Sequence, residues 1–283
     1  NSGQVITGPI TSSQTVWIYD ATTNGCEDEV SFDVTINALP NQPVAQDETL
    51  TYDGNAHSAN ATVNAGETVD WYTTETGSTT TTVPTGTNSG VYTAWAEARD
   101  ETTGCVSAAR TLVTLTIEKV SLDLTVFLQG PYNGSGIMNT DLYDNGQIPS
   151  TQPYNTGPWN YSGTESETPT ATTVDWVLVE LRSDASTMVA RSAALLNDDG
   201  SVTARIDDAT YPTVVDGASY YVVVWHRNHM PVMSTSAQAV PVSSYDLSDI
   251  ANLYGANPAI DVSGGGGIYA MVAGDVTRNG VLQ

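Results

Sequence analysis

The stretch NGCEDEVSFDVTI (residues 24–36) returns later as TGCVSAARTLVTLTI (residues 103–117), with Cys26 and Cys105 lying 79 residues apart. Downstream of each cysteine, Val34 matches Val113 and Ile36 matches Leu115. Upstream, VWIYDATTNGC parallels TAWAEARDETTGC after a one-residue gap. A repeat of this period marks tandem modules, each of which must bury its own apolar face. The second copy is whole, spanning residues 40–119. Its strand candidates are ETLTYDG, ANATVNA, TVDWYTT, VYTAWAEA and RTLVTLTIE, each bounded by Gly, Asn, Asp or Pro. Short alternating strands at this spacing predict an immunoglobulin-like β-sandwich, with Trp71 as a core anchor. The first copy, residues 1–39, matches only the second half of that pattern. Its strands QVITGP, QTVWIYD and EVSFDVTI cannot close a two-layer core alone, so an apolar face and open strand edges are expected.

Composition agrees with this reading. Charged residues are only 14% of the chain, and the polar positions are mostly Thr, Ser, Asn and Gly, which favour strands and turns over exposed helices. Eight basic residues stand against 32 acidic ones, for a net charge of −24. That field repels phosphate backbones and anionic membranes, so nucleic-acid and membrane partners are not expected. It suits oxygen-seeking divalent cations, calcium above all. No apolar run reaches the ~20 residues of a membrane helix. The chain does not begin with Met and no signal peptide precedes NSGQVITG, which reads as a processed piece. Cys26 and Cys105 occupy equivalent sites in different modules, so no disulfide between them is expected.

From residue 120 the pattern changes to a larger β-sandwich domain, residues 120–283. SLDLTVFLQG, TVDWVLVELRS, TMVARSAALLN, DDGSVTARI, SYYVVVWHRN, MPVMSTSAQAV and GIYAMVAGDV read as strands, with a hairpin turn at residues 197–200. A short helix is expected in SYDLSDIANLYG, where Leu247, Ile250 and Leu253 share a face. The fold class is therefore all-β: tandem immunoglobulin-like modules, the first incomplete, followed by a larger C-terminal β-sandwich.

Several stretches of this last region, among them FLQGPYNGSGIMNTDL, QPYNTGPWNYSGTES, YYVVVWHRNHMPVMS and YAMVAGDVTRNGVLQ, resemble the C-terminal region of long surface proteins of Bacteroidota. In those proteins similar domains follow tandem immunoglobulin-like repeats. The resemblance implies a secreted, cell-surface adhesin, stalk or fibre and carries no catalytic residues.

Four candidate sites follow from the residues. DVTRNG places Asp275, Thr277 and Asn279 at positions 1, 3 and 5 of a calcium loop, with Gly280 at the turn; the acid of position 12 is missing. The alternative is a plain Asp/Asn turn. His226 and His229, three apart on a strand end, are expected to point to opposite faces and so to make a poor zinc pair. Tyr132, Trp159 and Tyr161, on a long loop, could stack on a glycan or pin the loop to its own domain. Val16, Ile18, Phe32, Val34 and Ile36 form the apolar face of the incomplete module and are the expected assembly interface.

No nucleophile constellation or phosphate-cradling loop is present, and an enzyme is not expected. Nor is a cofactor other than calcium. The reading is an extracellular structural protein: a subunit of a surface filament or adhesin stalk, assembled head-to-tail with other copies of itself by β-strand complementation. A processed fragment of a long monomeric adhesin and a carbohydrate-binding accessory region of a secreted enzyme are the rivals, surface glycans being the partner in the second.

Overall fold

The computed structural model describes residues 8–21, 27–256 and 258–274. The fold is all-β, with 45% strand and 3% helix. Two compact units divide the chain. One holds the residues up to Glu48 together with Ser58–Thr85 and Tyr92–Leu115; the other holds Thr49–His57, Gly86–Val91 and everything from Thr116 onward.

The first unit opens with a hairpin of β1 (Gln14–Ala21) and β2 (Glu27–Val34), paired antiparallel with Val16 opposite Phe32 and Ile18 opposite Val30. Along the chain, without regard to unit, the strands that follow are β3 (Val44–Gln46), β4 (Glu48–Thr51), β5 (His57–Ser58), β6 (Asn60–Thr62), β7 (Glu67–Tyr72), β8 (Thr85–Gly86), β9 (Gly90–Asp100) and β10 (Thr111–Glu118). A four-stranded sheet runs in the order β4-β10-β9-β7. Alternation sets its inner face: Ala94, Ala96 and Ala98 on β9 and Val113, Leu115 and Ile117 on β10 are buried, because side chains two apart share a face. Trp71 is only half-buried, so small alanines rather than an indole fill this interior. The Thr-rich tract after β7 is held by Arg110, which donates to the carbonyls of Thr74 at 2.9 Å and Gly77 at 2.6 Å while its guanidinium lies over the Tyr72 ring.

The second unit is built on β11 (Ser121–Thr125), β12 (Thr173–Arg182), β13 (Met188–Asn197), β14 (Ser201–Arg205), β15 (Ser219–His226), β16 (His229–Met233), β17 (Gln238–Ala239), β18 (Val242–Asp246), β19 (Ile260–Asp261) and β20 (Tyr269–Ala270). Seven of these join in the order β16-β15-β12-β13-β14-β11-β18, with β17 added beside β15, and the sheet rolls into a half-barrel. Its interior carries Leu122, Leu124, Val177, Val179, Leu181, Leu196, Val202, Val222 and Val224. The expected turn between β13 and β14 is present. Gly200 sits there at φ 85°, where a Cβ would lie 3.0 Å from the Phe127 ring and 3.1 Å from the Val126 carbonyl oxygen. Only glycine meets both demands.

The expected helix near Leu247 is not formed. Leu247 instead sits in the turn after β18, donating its N–H to the Thr125 carbonyl at 2.8 Å, and only Ile250–Asn252 form a helical turn, of the 3-10 type. Asp249 caps that turn by accepting from the Ala251 N–H at 2.9 Å. A single helical turn that the sequence did not signal, α1 (Asp141–Asp144), lies in the long loop before β12.

Candidate functional site

On the β1–β2 hairpin, one face carries Val16, Ile18, Val30, Phe32 and Val34, since cross-strand partners point the same way. Ile36 follows on the same side, its N–H held by the Ser13 hydroxyl at 2.9 Å. Ile18 is 56% exposed, Val30 61% and Phe32 50%, while Val16 and Val34 are half-buried. The repeat supplies an internal control. Val16 and Ile18 correspond to Ala94 and Ala96, and Val34 and Ile36 to Val113 and Leu115; all four counterparts are buried. The same pattern is thus an interior in one copy and a surface in the other. The opposite hairpin face bears Thr15, Asp33, Ser31, Glu29, Trp17 and Tyr19, a mixed surface.

Asp275, Thr277 and Asn279 lie outside the described residues. Among the described residues, no group of three or more His, Cys, Asp or Glu side chains is placed to hold a metal.

The two histidines are closer than their spacing suggested. β15 ends at His226 and β16 begins at His229, so the chain turns between them and pairs the two residues across the hairpin. Their Nδ1 atoms stand 2.8 Å apart, and the expectation of opposite faces is corrected by that turn. The main-chain N–H of Asn228 donates to His226 Nδ1 at 3.2 Å, which makes that nitrogen an acceptor. His226 therefore carries its proton on Nε2, facing Asp175 Oδ2 at 3.1 Å, and His229 Nδ1–H donates to His226. His229 Nε2 is left to accept from the Gly130 N–H at 3.5 Å. Arg227 closes the other side of Asp175 with contacts of 2.5 and 2.7 Å. Burial, with the neighbouring His226, pushes the His229 imidazole down to about pKa 3. The cluster borders a cleft of about 250 Å³ that Asn139, Asp141 and Leu142 also line.

The aromatic loop is packed inward. Trp159 is 6% exposed and Tyr161 7%, clustered with Tyr154, Trp176, Leu178 and Ala193 on the outer face of β12 and β13. Tyr154 and Trp159 meet edge to face at 4.9 Å, and the Tyr154 hydroxyl donates to the Trp176 carbonyl at 2.7 Å. Tyr132 packs edge to face on Phe127. Neither Trp159 nor Tyr161 offers a free ring face, so the glycan-stacking assignment for these residues gives way to the packing one.

Sequence reasoning passed over four buried or cleft-lining charges. Glu180, 1% exposed, bridges Arg182 at 2.5 Å and Arg191 at 2.6 Å. Asp175, 2% exposed, organises the histidine cluster. Glu165 and Arg205 line a second cleft, of about 320 Å³. The available signal was a lone acid inside an apolar strand run, as in TVDWVLVELR, because a buried carboxylate requires partners. No protein-family model matches the chain, and no curated protein sequence matches it.

Proposed function

We propose that this chain is an extracellular structural protein, a subunit of a surface filament or adhesin stalk, in which the β1–β2 hairpin is completed by strands of a second copy. One observation carries the reading: the hairpin presents to solvent the apolar face that its repeat buries. Incoming strands would take the places beside β2 and β1 that β4 and β7 hold beside β10 and β9. They would pair open edges as well as cover side chains. Covering five aliphatic or aromatic side chains that are already partly shielded contributes on the order of 5 kcal/mol before ordering costs. A contact between unlike surfaces of identical copies repeats head to tail, and where its rotation does not close a ring it yields a filament.

Charge sets the conditions. Copies with a net charge of −24 repel one another at low salt, so screening should promote association while the apolar face supplies the attraction. The test is sedimentation velocity and negative-stain electron microscopy at low and physiological ionic strength, with hydrogen exchange on β1 and β2. Wild type should form concentration-dependent linear oligomers with protected hairpin amides, and the Ile18→Asp/Phe32→Asp variant should stay monomeric. A wild type that remains monomeric at high concentration and physiological salt refutes assembly through this face.

A further inference from the structure

Four Asn-Gly dipeptides occur in the chain, at residues 24–25, 133–134, 145–146 and 279–280; the first and last lie outside the described residues. Such a dipeptide can react with itself. The glycine nitrogen is held beside the asparagine Cγ by covalent connection, and no Cβ on the glycine hinders their approach. The two described copies match in exposure as well as in sequence. Asn133, Gly134, Asn145 and Gly146 are all exposed, and a Cβ on either glycine would meet nothing within 4 Å. They differ in what their polar groups already do.

At residues 145–146 the reacting groups are committed. The Gly146 N–H donates to the Tyr143 carbonyl at 2.9 Å, and Asn145 Nδ2 donates to the Asp141 carbonyl at 2.7 Å. The single turn of α1 thus ties down both the attacking nitrogen and the one that would leave. Reaction there must first break these bonds.

At residues 133–134 the arms of the turn are fixed and its tip is free. The Asn133 N–H donates to the Ile137 carbonyl at 3.0 Å, the Asn139 N–H donates to the Pro131 carbonyl at 2.8 Å, and Tyr132 bridges to Met138. Beyond those arms, Gly134 sits at φ 83°, and neither its N–H nor Asn133 Nδ2 has a hydrogen-bond partner among the described residues. Asn133 Oδ1, by contrast, accepts from the Ser135 N–H at 3.0 Å and from the Ser135 hydroxyl at 2.7 Å. Negative charge collects on that oxygen when Cγ is attacked, so two donors already aimed at it stabilise the tetrahedral intermediate.

We propose that Asn133–Gly134 is a self-modification site, at which the chain deamidates with water as its only co-reactant. A solvent base takes the Gly134 N–H proton, and the nitrogen bonds to Asn133 Cγ. The Cγ–Nδ2 bond then breaks as Nδ2 takes up a proton and leaves as ammonia, which closes a five-membered imide. Water opens the imide at either carbonyl, leaving aspartate or an isoaspartate whose main chain runs through Cγ. Either product adds a carboxylate. Isoaspartate also lengthens the main chain between residues 133 and 134, outside the Tyr132–Met138 bridge, so the tip changes while its paired arms stay. The site lies within the second unit and is independent of the hairpin and of any assembly through it.

The test incubates the full chain at mildly alkaline pH, folded and in urea. Chymotryptic peptides cut after Tyr132 and Tyr143 separate the two asparagines for mass spectrometry, and isoaspartyl methyltransferase labelling counts the rearranged product. In the folded chain Asn133 should convert roughly tenfold or more faster than Asn145, the factor expected where ordinary hydrogen bonds must first be broken at the slower site. In urea the two rates should converge, because the bonds that distinguish the sites are gone. Ser135→Ala, at an exposed position, should slow Asn133 severalfold in the folded chain and leave Asn145 unchanged. Equal rates at the two sites in the folded chain, or an Asn133 amide that outlasts Asn145, would overturn the proposal. An Asn133 rate untouched by Ser135→Ala would overturn it as well.

Discussion

Acid should loosen the second unit through His229 before its carboxylates begin to titrate. The hydrogen bonds run one way, from Gly130 N–H to His229, from His229 to His226, and from His226 to Asp175, so the chain of bonds needs His229 Nε2 free of a proton. A proton added at His229 Nε2 would face the Gly130 N–H, donor against donor. The charged and titratable groups around it are His226, Asp175 and Arg227, with Asp141 on the wall of the adjoining cleft. His229 lies at about pKa 3 in the fold against an ordinary 6.5. Between those values the unfolded chain binds a proton that the native chain refuses. Stability is therefore full above pH ~6.5 and falls as pH drops toward 3. By that linkage the loss between pH 8 and pH 5 is about 2 kcal/mol. Asp175, held below the ordinary carboxylate range by His226 and Arg227 against the opposing push of burial, stays ionised across this window and adds no slope there. The assay is urea unfolding at pH 8 and pH 5, read by hydrogen exchange in β15 and β16, for wild type and His229→Gln. Wild type should lose the larger share of its stability, and the variant should lose about 2 kcal/mol less over the same interval. Equal pH dependence in the two proteins, or an NMR titration placing His229 near 6.5, would defeat the reasoning.

Two further substitutions test the packing of the same unit. Glu180→Ala strands Arg182 and Arg191 without their shared carboxylate and should cost roughly 3–5 kcal/mol in denaturant unfolding, the scale for breaking a buried pair. Gly200→Ala must place a Cβ against Phe127 at a positive φ, and should lower stability by about 1–3 kcal/mol in the same assay while leaving β1–β2 exchange unchanged.

Local order was legible wherever one face of a strand decides burial. The alternation in RTLVTLTIE gives β10 and its buried Val113, Leu115 and Ile117, and the turn at residues 197–200 gives β13 and β14. The hairpin's apolar face was legible for the same reason, because register follows from alternation and the repeat provides a buried counterpart. Leu247, Ile250 and Leu253 misled because a spacing of three serves more than one conformation. It fits the three-residue turn of a 3-10 helix, and here Leu247 lies in the turn after β18 while Asp246 and Asp249 spend their carboxylates on local N–H groups.

The polar centres were hidden by distance along the chain. Asp175 and His226 are brought together only because β12 and β15 are neighbours in the sheet, and Glu180 meets Arg191 because β12 and β13 pair. The long loop before β12 made this possible. Folding its aromatic side chains onto the outer face of β12 turned a strand that would otherwise have one wet face into one buried on both. A charge on that strand then had to find partners or be lost from the sequence. The loop's aromatic residues and the acids of β12 thus go together: with the loop packed on the strand's outer face Glu180 is 1% exposed, and Arg182 and Arg191 take the place of water as its partners.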